Sequence, residues 1–347
     1  MERRLTNGLV SVILVTWNSA PFLRRCLAAL AAQTYPEIEL IHIDNGSADD
    51  SAALVRECGA DVKQIINDAN RGFSAAVNQG VRMARGQFVF LLNPDAFLES
   101  DYLAKLAAAL TDNFGMATGT LLQADTGLID SKGIRMTRSG RHFDIEQNCH
   151  PEAGEARPKD LHYAAPATGA AAGDPSAVLR RPLDDRREIF GVSGAAAMYS
   201  MKFVNDVTIG GEFLDEDFFT FREDADVAWR GQLFGWKAVH VPDAVAHHVR
   251  TVTPEKRRSL SAVINMHGVK NRFLLRLKNE GLYLALRNAP FELTRDLIAI
   301  AATLTIERSS LPALSWLWKN RRRIMEKRRA IQSRRRISDR QLAGWFR

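Results

Sequence analysis

Phe88-Val-Phe-Leu-Leu-Asn-Pro-Asp95 decides the fold. Five apolar residues run straight into Asn93, Pro94 and Asp95. An unbroken apolar run of that length reads as a strand buried on both faces, as strands of parallel sheets are. Pro94 ends the ladder because it has no N–H to give. Asp95 is therefore predicted at the carboxyl end of a central strand, the edge where open α/β sheets bind their ligands. A carboxylate there can hold a divalent cation, and a cation can hold a diphosphate. By itself the stretch would read as a strand and an Asn-Pro-Asp turn; its surroundings favour the site.

Upstream, Val10 to Thr16 is a β-branched run that predicts a first buried strand. Pro21 suits the first turn of a helix reaching Leu30. Ile38 to Ile43 predicts a second strand, closed by the turn Asp44-Asn-Gly-Ser47. A helix opening at Asp49 and Asp50, a short strand over Val62–Ile66 and a helix over Ser74–Ala84 complete the approach to Phe88. Such alternation predicts right-handed βαβ units and a parallel sheet. Three strands end in polar turns, at Thr16-Trp-Asn18, Asp44-Asn-Gly46 and Asn93-Pro-Asp95. In a parallel sheet these share one edge and form a nucleotide crevice. Neither GxGxxG after the first strand nor GxxxxGK[ST] is present, which argues against a dinucleotide site and a P-loop.

Downstream, a helix is expected from Asp101 to Leu110 and a strand from Gly115 to Leu122. Residues 151–187, rich in Ala, Pro, Gly and charge, read as a long, partly mobile loop. Order returns at Phe190 to Tyr199, a strand expected to end at Met201. Asp215-Glu-Asp-Phe-Phe-Thr-Phe-Arg-Glu-Asp-Ala-Asp226 is a second dense acidic cluster. It opens an apolar helix, Val227 to Phe234. Acids at a helix N-terminus complement its dipole, but Glu223, Asp224 and Asp226 cannot all be buried as ions without partners or shifted pKa values. Trp236 to Val241 predicts a strand, followed by Pro242, Asp243 and a segment with His247 and His248. Adjacent histidines on a strand point to opposite faces, so one of them at most faces the site.

The 347 residues suffice for one large domain or two smaller ones, and 46% hydrophobic with 25% charged residues is ordinary globular composition. Cys26, Cys58 and Cys149 form no CxxC pair and no metal spacing, as expected of reduced thiols in the cytoplasm. No signal-peptide core follows Met1, and the apolar stretch Leu297 to Ile306 is too short to span a bilayer. A soluble or peripheral protein is expected.

Val15-Thr-Trp-Asn18, Ile43-Asp-Asn-Gly-Ser47, Asn70-Arg-Gly-Phe73, Leu92-Asn-Pro-Asp95, Phe218 to Asp226 and Pro242 to His248, in this order, resemble the family 2 inverting glycosyltransferases, especially their rhamnosyltransferase-like bacterial branch. The resemblance runs from residue 8 to residue 275. It implies the GT-A fold, a Rossmann-like α/β unit with a mainly parallel mixed central sheet, here followed by a basic α-helical extension. The catalytic domain would be residues 1–252, with a nucleotide-binding half to residue 123 and an acceptor half from 124, and the extension 253–347. By resemblance, Thr16, Asn18 and Asn45 lie where the nucleotide is held, and Asp44 accepts the pyrimidine N3–H. Arg71 contacts the nucleotide or its phosphates, with Asn78 supporting its loop. Asn93-Pro-Asp95 matches the DxD motif with Asn in place of the first acid, leaving Asp95 as the surer metal ligand. His248 matches the later metal-binding histidine, with His247 as the alternative. Asp224 matches the catalytic base, Glu223 binds acceptor or orients the base, and Asp226 is grouped with it at the acceptor.

The chemistry agrees with that division. An inverting transfer needs a base for the acceptor hydroxyl and a cation, Mg²⁺ or Mn²⁺, to neutralise charge growing on the diphosphate. A metal-bound carboxylate is a poor base, so two separate acidic clusters are needed. The expected reaction moves a sugar, L-rhamnose from dTDP-rhamnose by branch resemblance, onto a cell-surface polysaccharide or lipid-linked glycan. UDP- or GDP-sugar donors are the first alternative, and a catalytically silent nucleotide-sugar-binding or scaffold protein the second. The net charge of +7 concentrates near the C-terminus, where Lys319, Arg321–Arg323, Lys327–Arg329 and Arg334–Arg336 follow Trp316 and Trp318. Basic helices with Trp and Leu suit an anionic membrane surface, here the inner face of the plasma membrane; a charged helix packed on the catalytic domain fits equally. No nucleic-acid motif accompanies the charge.

Overall fold

A computed structural model of the chain describes residues 5–58, 61–145, 187–250 and 262–347. The loop expected at 151–187 lies outside the described residues except for Arg187, which opens a strand. The strands are β1 (Thr6–Thr16), β2 (Ile38–Asp44), β3 (Val62–Ile66), β4 (Gly86–Leu92), β5 (Ala96–Leu98), β6 (Phe114–Gln123), β7 (Ile129–Ser131), β8 (Ile134–Met136), β9 (His142–Asp144), β10 (Arg187–Ile189), β11 (Ala196–Ser200) and β12 (Lys237–His248). The helices are α1 (Ala20–Ala31), α2 (Ser51–Arg56), α3 (Phe73–Met83), α4 (Tyr102–Ala109), α5 (Met201–Val207) and α6 (Glu223–Leu233), then α7 (Ala262–Asn279), α8 (Leu282–Thr305), α9 (Pro312–Lys319), α10 (Arg321–Ser333) and α11 (Asp339–Leu342).

The main sheet runs β10-β12-β6-β11-β4-β1-β2-β3, with β5 and β7 added at its side. β1 pairs parallel with both β2 and β4, and β2 with β3, as the strand-helix alternation predicts. β11 enters antiparallel between β4 and β6, so the sheet is mixed. The β1 run is buried on both faces by strict alternation. Val10, Val12 and Leu14 pack with α1 and α4, while Ile13 and Val15 pack with α3. The second face also carries α5, α6 and, beyond them, Leu274, Leu275, Ile324 and Ile331 of α7 and α10. The C-terminal helices are thus continuous with the core.

Two boundaries differ from the sequence expectation. Met201 does not end a strand; it opens α5, because the Ser200 hydroxyl caps that helix by accepting from the Phe203 N–H. Pro242 does not divide two strands. β12 continues through it with a register shift between His240 and Val245, the irregularity at which a strand tolerates proline.

Candidate active site

The carboxyl ends of β1, β2 and β4 place Thr16, Asp44 and the 93–95 turn on one edge, as the parallel register requires. The Thr16 hydroxyl donates to Asp44 Oδ1 at 2.8 Å, and Asp44 Oδ2 accepts from the Ser47 N–H at 3.0 Å. Thr16 has one proton, so His42 Nε2, at 2.8 Å, must donate to its oxygen, and His42 Nδ1 accepts from the Gln64 amide. Burial lowers the His42 pKa to about 4, against the pull of Asp44, and keeps the ring in that neutral state. The buried chain Gln64–His42–Thr16–Asp44 thus orients one carboxylate. Thr16 itself is fully buried and acts through Asp44.

Asn18 sits in the left-handed region with φ 52° and braces the 47–48 turn: its N–H donates to the Ser47 hydroxyl and its side-chain oxygen accepts from the Ala48 N–H. Asn45 is buried and bonds Asn70, Asn67, the Gly72 carbonyl and the Arg71 N–H. It shapes the 70–72 loop and leaves the Arg71 side chain exposed at the edge.

At the Asn-Pro-Asp turn, the Asn93 N–H donates to the Ala195 carbonyl. Asp95 Oδ1 faces His248 Nε2 at 3.4 Å, both largely buried. That separation is close to the roughly 3 Å between neighbouring ligands of a cation bound at about 2.1 Å. His248 Nδ1 donates to Asp130 Oδ2 at 2.9 Å, the partner that fixes a metal-binding imidazole with its other nitrogen free. Burial works against charge on His248, but Asp130 and Asp95 outweigh it and raise its pKa to about 9. A cation bound here would displace that proton. Among the described residues no cluster of three or more metal-ligating side chains occurs. Two protein ligands with the rest supplied by phosphate oxygens and water is how Mg²⁺ sites on phosphorylated substrates are built, so the pair fits such a cation. His247 points the other way, with Nε2 3.7 Å from Glu99.

The base candidate lies in the first turn of α6. Asp224 Oδ1 accepts from the Ala225 N–H at 2.7 Å and Oδ2 from the Gly194 N–H at 3.4 Å. Gly194 adjoins Ala195, which is bonded to Asn93, so the two acidic clusters meet. Burial raises the Asp224 pKa, the two amides lower it and the charge of Asp144 raises it, to about 6. Glu223 beside it is buried, and its Oε2 has no hydrogen-bond partner among the described residues. Burial, with Asp224 next to it, pushes its carboxyl up to about 8. The pair therefore titrates as a unit, one proton near neutrality. Arg250 links the clusters electrostatically: it pairs with Asp130 at 2.8 Å and with Asp144 at 2.7 Å.

Two expected site residues belong elsewhere. Asp226 does not face an acceptor. It is fully buried, neutralised by Arg230 at 3.1 Å and Lys278 at 3.0 Å, and accepts a hydrogen bond from the Asn279 amide at 2.6 Å. One residue pair along a helix turns a side chain through about 200°, away from Asp224. Asn78 does not brace the Arg71 loop. Its amide donates to the Leu214 carbonyl and Glu216, and its oxygen accepts from the Leu214 N–H. Sequence reasoning missed His42, Asp130, Asp144 and Arg250. His42 is the one with a readable signal, since it alternates with Asp44 on a short strand.

Residues 11–154 match the sequence profile described as Glycosyl transferase family 2. That match runs from β1 through β9, the part of the chain that holds Thr16, Asp44 and the 93–95 turn. Similar proteins include the putative glycosyltransferase EpsH of Bacillus subtilis, 31% identical over 105 residues, 30% of this chain and 30% of that one. An uncharacterized glycosyltransferase of Haemophilus influenzae is 29% identical over 140 residues, 39% of this chain and 55% of its own length. The aligned region is thus about a third to a half of these curated relatives. The fold resembles the crystal structure of GalNAc-T7 with UDP, GalNAc and Mn²⁺, TM-score 0.56 at 16% identity, over 78% of this chain and 48% of that one. It also resembles the mannosyltransferase PcManGT of Pyrobaculum calidifontis in complex with GDP-Man and Mn²⁺, TM-score 0.51 at 18% identity, over 94% and 83%. The chain has the GT-A fold.

Proposed function

We propose that the protein is an inverting glycosyltransferase that moves a sugar from a nucleotide diphosphate donor to a glycan hydroxyl. The observation that carries this reading is Asp224: a half-buried carboxylate bonded to two backbone amides, raised to about 6, and linked through Gly194 and Ala195 to the turn that bears Asp95. Such a group is ionised near neutral pH yet basic enough to take a proton. Asp44, fixed by Thr16, would receive the base of the nucleotide, and Arg71 would approach the phosphates. Asp95 and His248 would hold Mg²⁺ or Mn²⁺, which when bound neutralises charge on the leaving diphosphate. Asp224 then removes the acceptor proton as the hydroxyl attacks the anomeric carbon from the face opposite the diphosphate. Glu223, protonated at neutral pH, donates a hydrogen bond to the acceptor.

The branch resemblance supports L-rhamnose from dTDP-rhamnose and a cell-surface or lipid-linked glycan acceptor. The solved GT-A structures bound to UDP or GDP-Man favour, as the second reading, a UDP- or GDP-sugar. We place the protein at the cytoplasmic face of a membrane. α8 exposes Leu282, Leu286, Leu293, Leu297 and Leu304, and Trp318 and Arg321 lie exposed nearby in sequence. Among the described residues no single helix is long and apolar enough to cross a bilayer.

The test is a panel of dTDP-, UDP- and GDP-sugars with Mn²⁺ or Mg²⁺, read by diphosphate release and thermal shift. A selective response to dTDP-rhamnose is expected. Binding without release on any acceptor extract would replace transfer by a silent nucleotide-sugar-binding role.

A further inference from the structure

The loop that delivers Asp224 is unusual in its backbone. Phe219, Phe221 and Arg222 have φ values of 65°, 65° and 70°, three left-handed non-glycine residues in four positions. Each such residue is disfavoured and persists only where its surroundings over-determine it. Here the surroundings come from one face of α7. His267 stacks on the Phe219 ring, centroids 4.6 Å apart and planes 12° from parallel. Lys270 donates to the Asp217 carbonyl. The Asn271 side-chain amide lies within 2.7–2.9 Å of the Phe218, Thr220 and Phe221 carbonyls. Lys278 pairs with Asp215 and Asp226. The positions 267, 270, 271 and 278 share a helical stripe, and all but His267 are buried. Carbonyls only accept, so the two protons of the Asn271 NH₂ are shared among the three, with the Thr220 N–H also serving the Phe218 carbonyl.

We infer that Asn271 is a positioning residue for the transfer reaction: its amide gathers the three carbonyls and locks the left-handed turn that aims Asp224 at the sheet edge. The basic extension is then an integral part of the active site. This inference rests on the proposed transferase reading for its kinetic consequence, but not for its structural one.

Three variants test it. Asn271→Asp keeps the volume and loses both donors, Asn271→Ala loses the amide, and His267→Ala removes the partly exposed stacked ring together with its bond to Lys270. Each is compared with wild type by circular dichroism, hydrogen exchange over residues 216–226, thermal shift with dTDP-rhamnose and Mn²⁺, and the kcat and KM of diphosphate release. Expected are folded proteins with unchanged donor shift, donor KM within about threefold, kcat down roughly 10–100-fold for the Asn271 variants, and faster exchange in the loop. His267→Ala should change the same quantities in the same direction, more weakly, and decides the matter if the Asn271 variants do not fold. Unchanged loop exchange with kcat within about twofold overturns the inference. A wild type that turns over no donor sinks the transferase reading instead; loop exchange still decides the clamp, supporting it if protection is lost and overturning it if protection stays.

Discussion

The two faces of the first turn of α6 hold carboxylates two residues apart in opposite circumstances. Toward α7, Asp226 is enclosed by Arg230, Lys278 and Asn279. Toward the sheet edge, Asp224 has two backbone amides, a neighbouring Glu223 and the charge of Asp144. The first carboxylate is satisfied, so it holds structure. The second is left under-compensated, so it keeps affinity for a proton. Acidity in a sequence says nothing of which is which; the countercharges decide, and while Arg230 is one helical turn away, Lys278 arrives from far along the chain.

That contrast can be broken most sharply at Asp224. Asp224→Asn should reduce transfer by roughly 10²–10⁴-fold while leaving donor thermal shifts intact, measured by diphosphate release and melting. It should not destabilise the fold. A carboxyl whose folded pKa is raised binds its proton more tightly in the folded state, so its contribution to stability falls as pH rises from 3.8 through about 6, and the amide has no such loss. Near wild-type turnover would remove the base assignment.

Asp226→Asn is the converse. It strips one side from a buried ion cluster and should cost about 3–5 kcal/mol in a urea or guanidinium titration. Full stability with abolished transfer would put Asp226 back in the acceptor site and erase the contrast. Next in size, Asp130→Asn should weaken Mn²⁺-dependent activation by about 10–100-fold, since it frees the His248 ring that Asp130 orients; a metal titration of wild type and variant reads this directly. The smallest effect sharpens the comparison. The acidic limb of the kcat profile should lie near pH 6, because Asp224 must be ionised to act. Asp144→Asn removes a charge that raises Asp224, so that limb should move to lower pH. No movement would mean that Asp144 is not felt at the base.

The N-terminal part of the sheet was largely legible in the sequence, because buried parallel strands carry a local signature. Val10–Thr16, Ile38–Ile43 and Phe88–Leu92 announce themselves by composition, and the acids after them mark the binding edge. The pairing of His248 rather than His247 with Asp95 needed the structure, since alternation says only that the two differ. The acidic half was legible as a cluster but not as roles. Asp215, Asp217, Glu223, Asp224 and Asp226 look alike in sequence. The stretch Asn271 to Asn279 supplies buried Lys278 and Asn279 as the partners that the acids required. The signal was present: buried acids demand cations, and polar residues at 267, 270, 271 and 278 repeat at helical spacing. What no local pattern carries is the match between two segments some 50 residues apart.

The clasp between the 215–226 loop and α7 and α10 also sets an order of events during synthesis. Asp215 waits for Lys278 and Lys327, 63 and 112 residues later in the chain. As the polypeptide leaves the ribosome, the strands that would receive a nucleotide emerge first and pair among near neighbours. The turn that aims Asp224 acquires its clasp only after α7 and α10 have followed. A nascent chain thus orders the edge that bears Asp44 and Asp95 before it can fix the turn that bears Asp224.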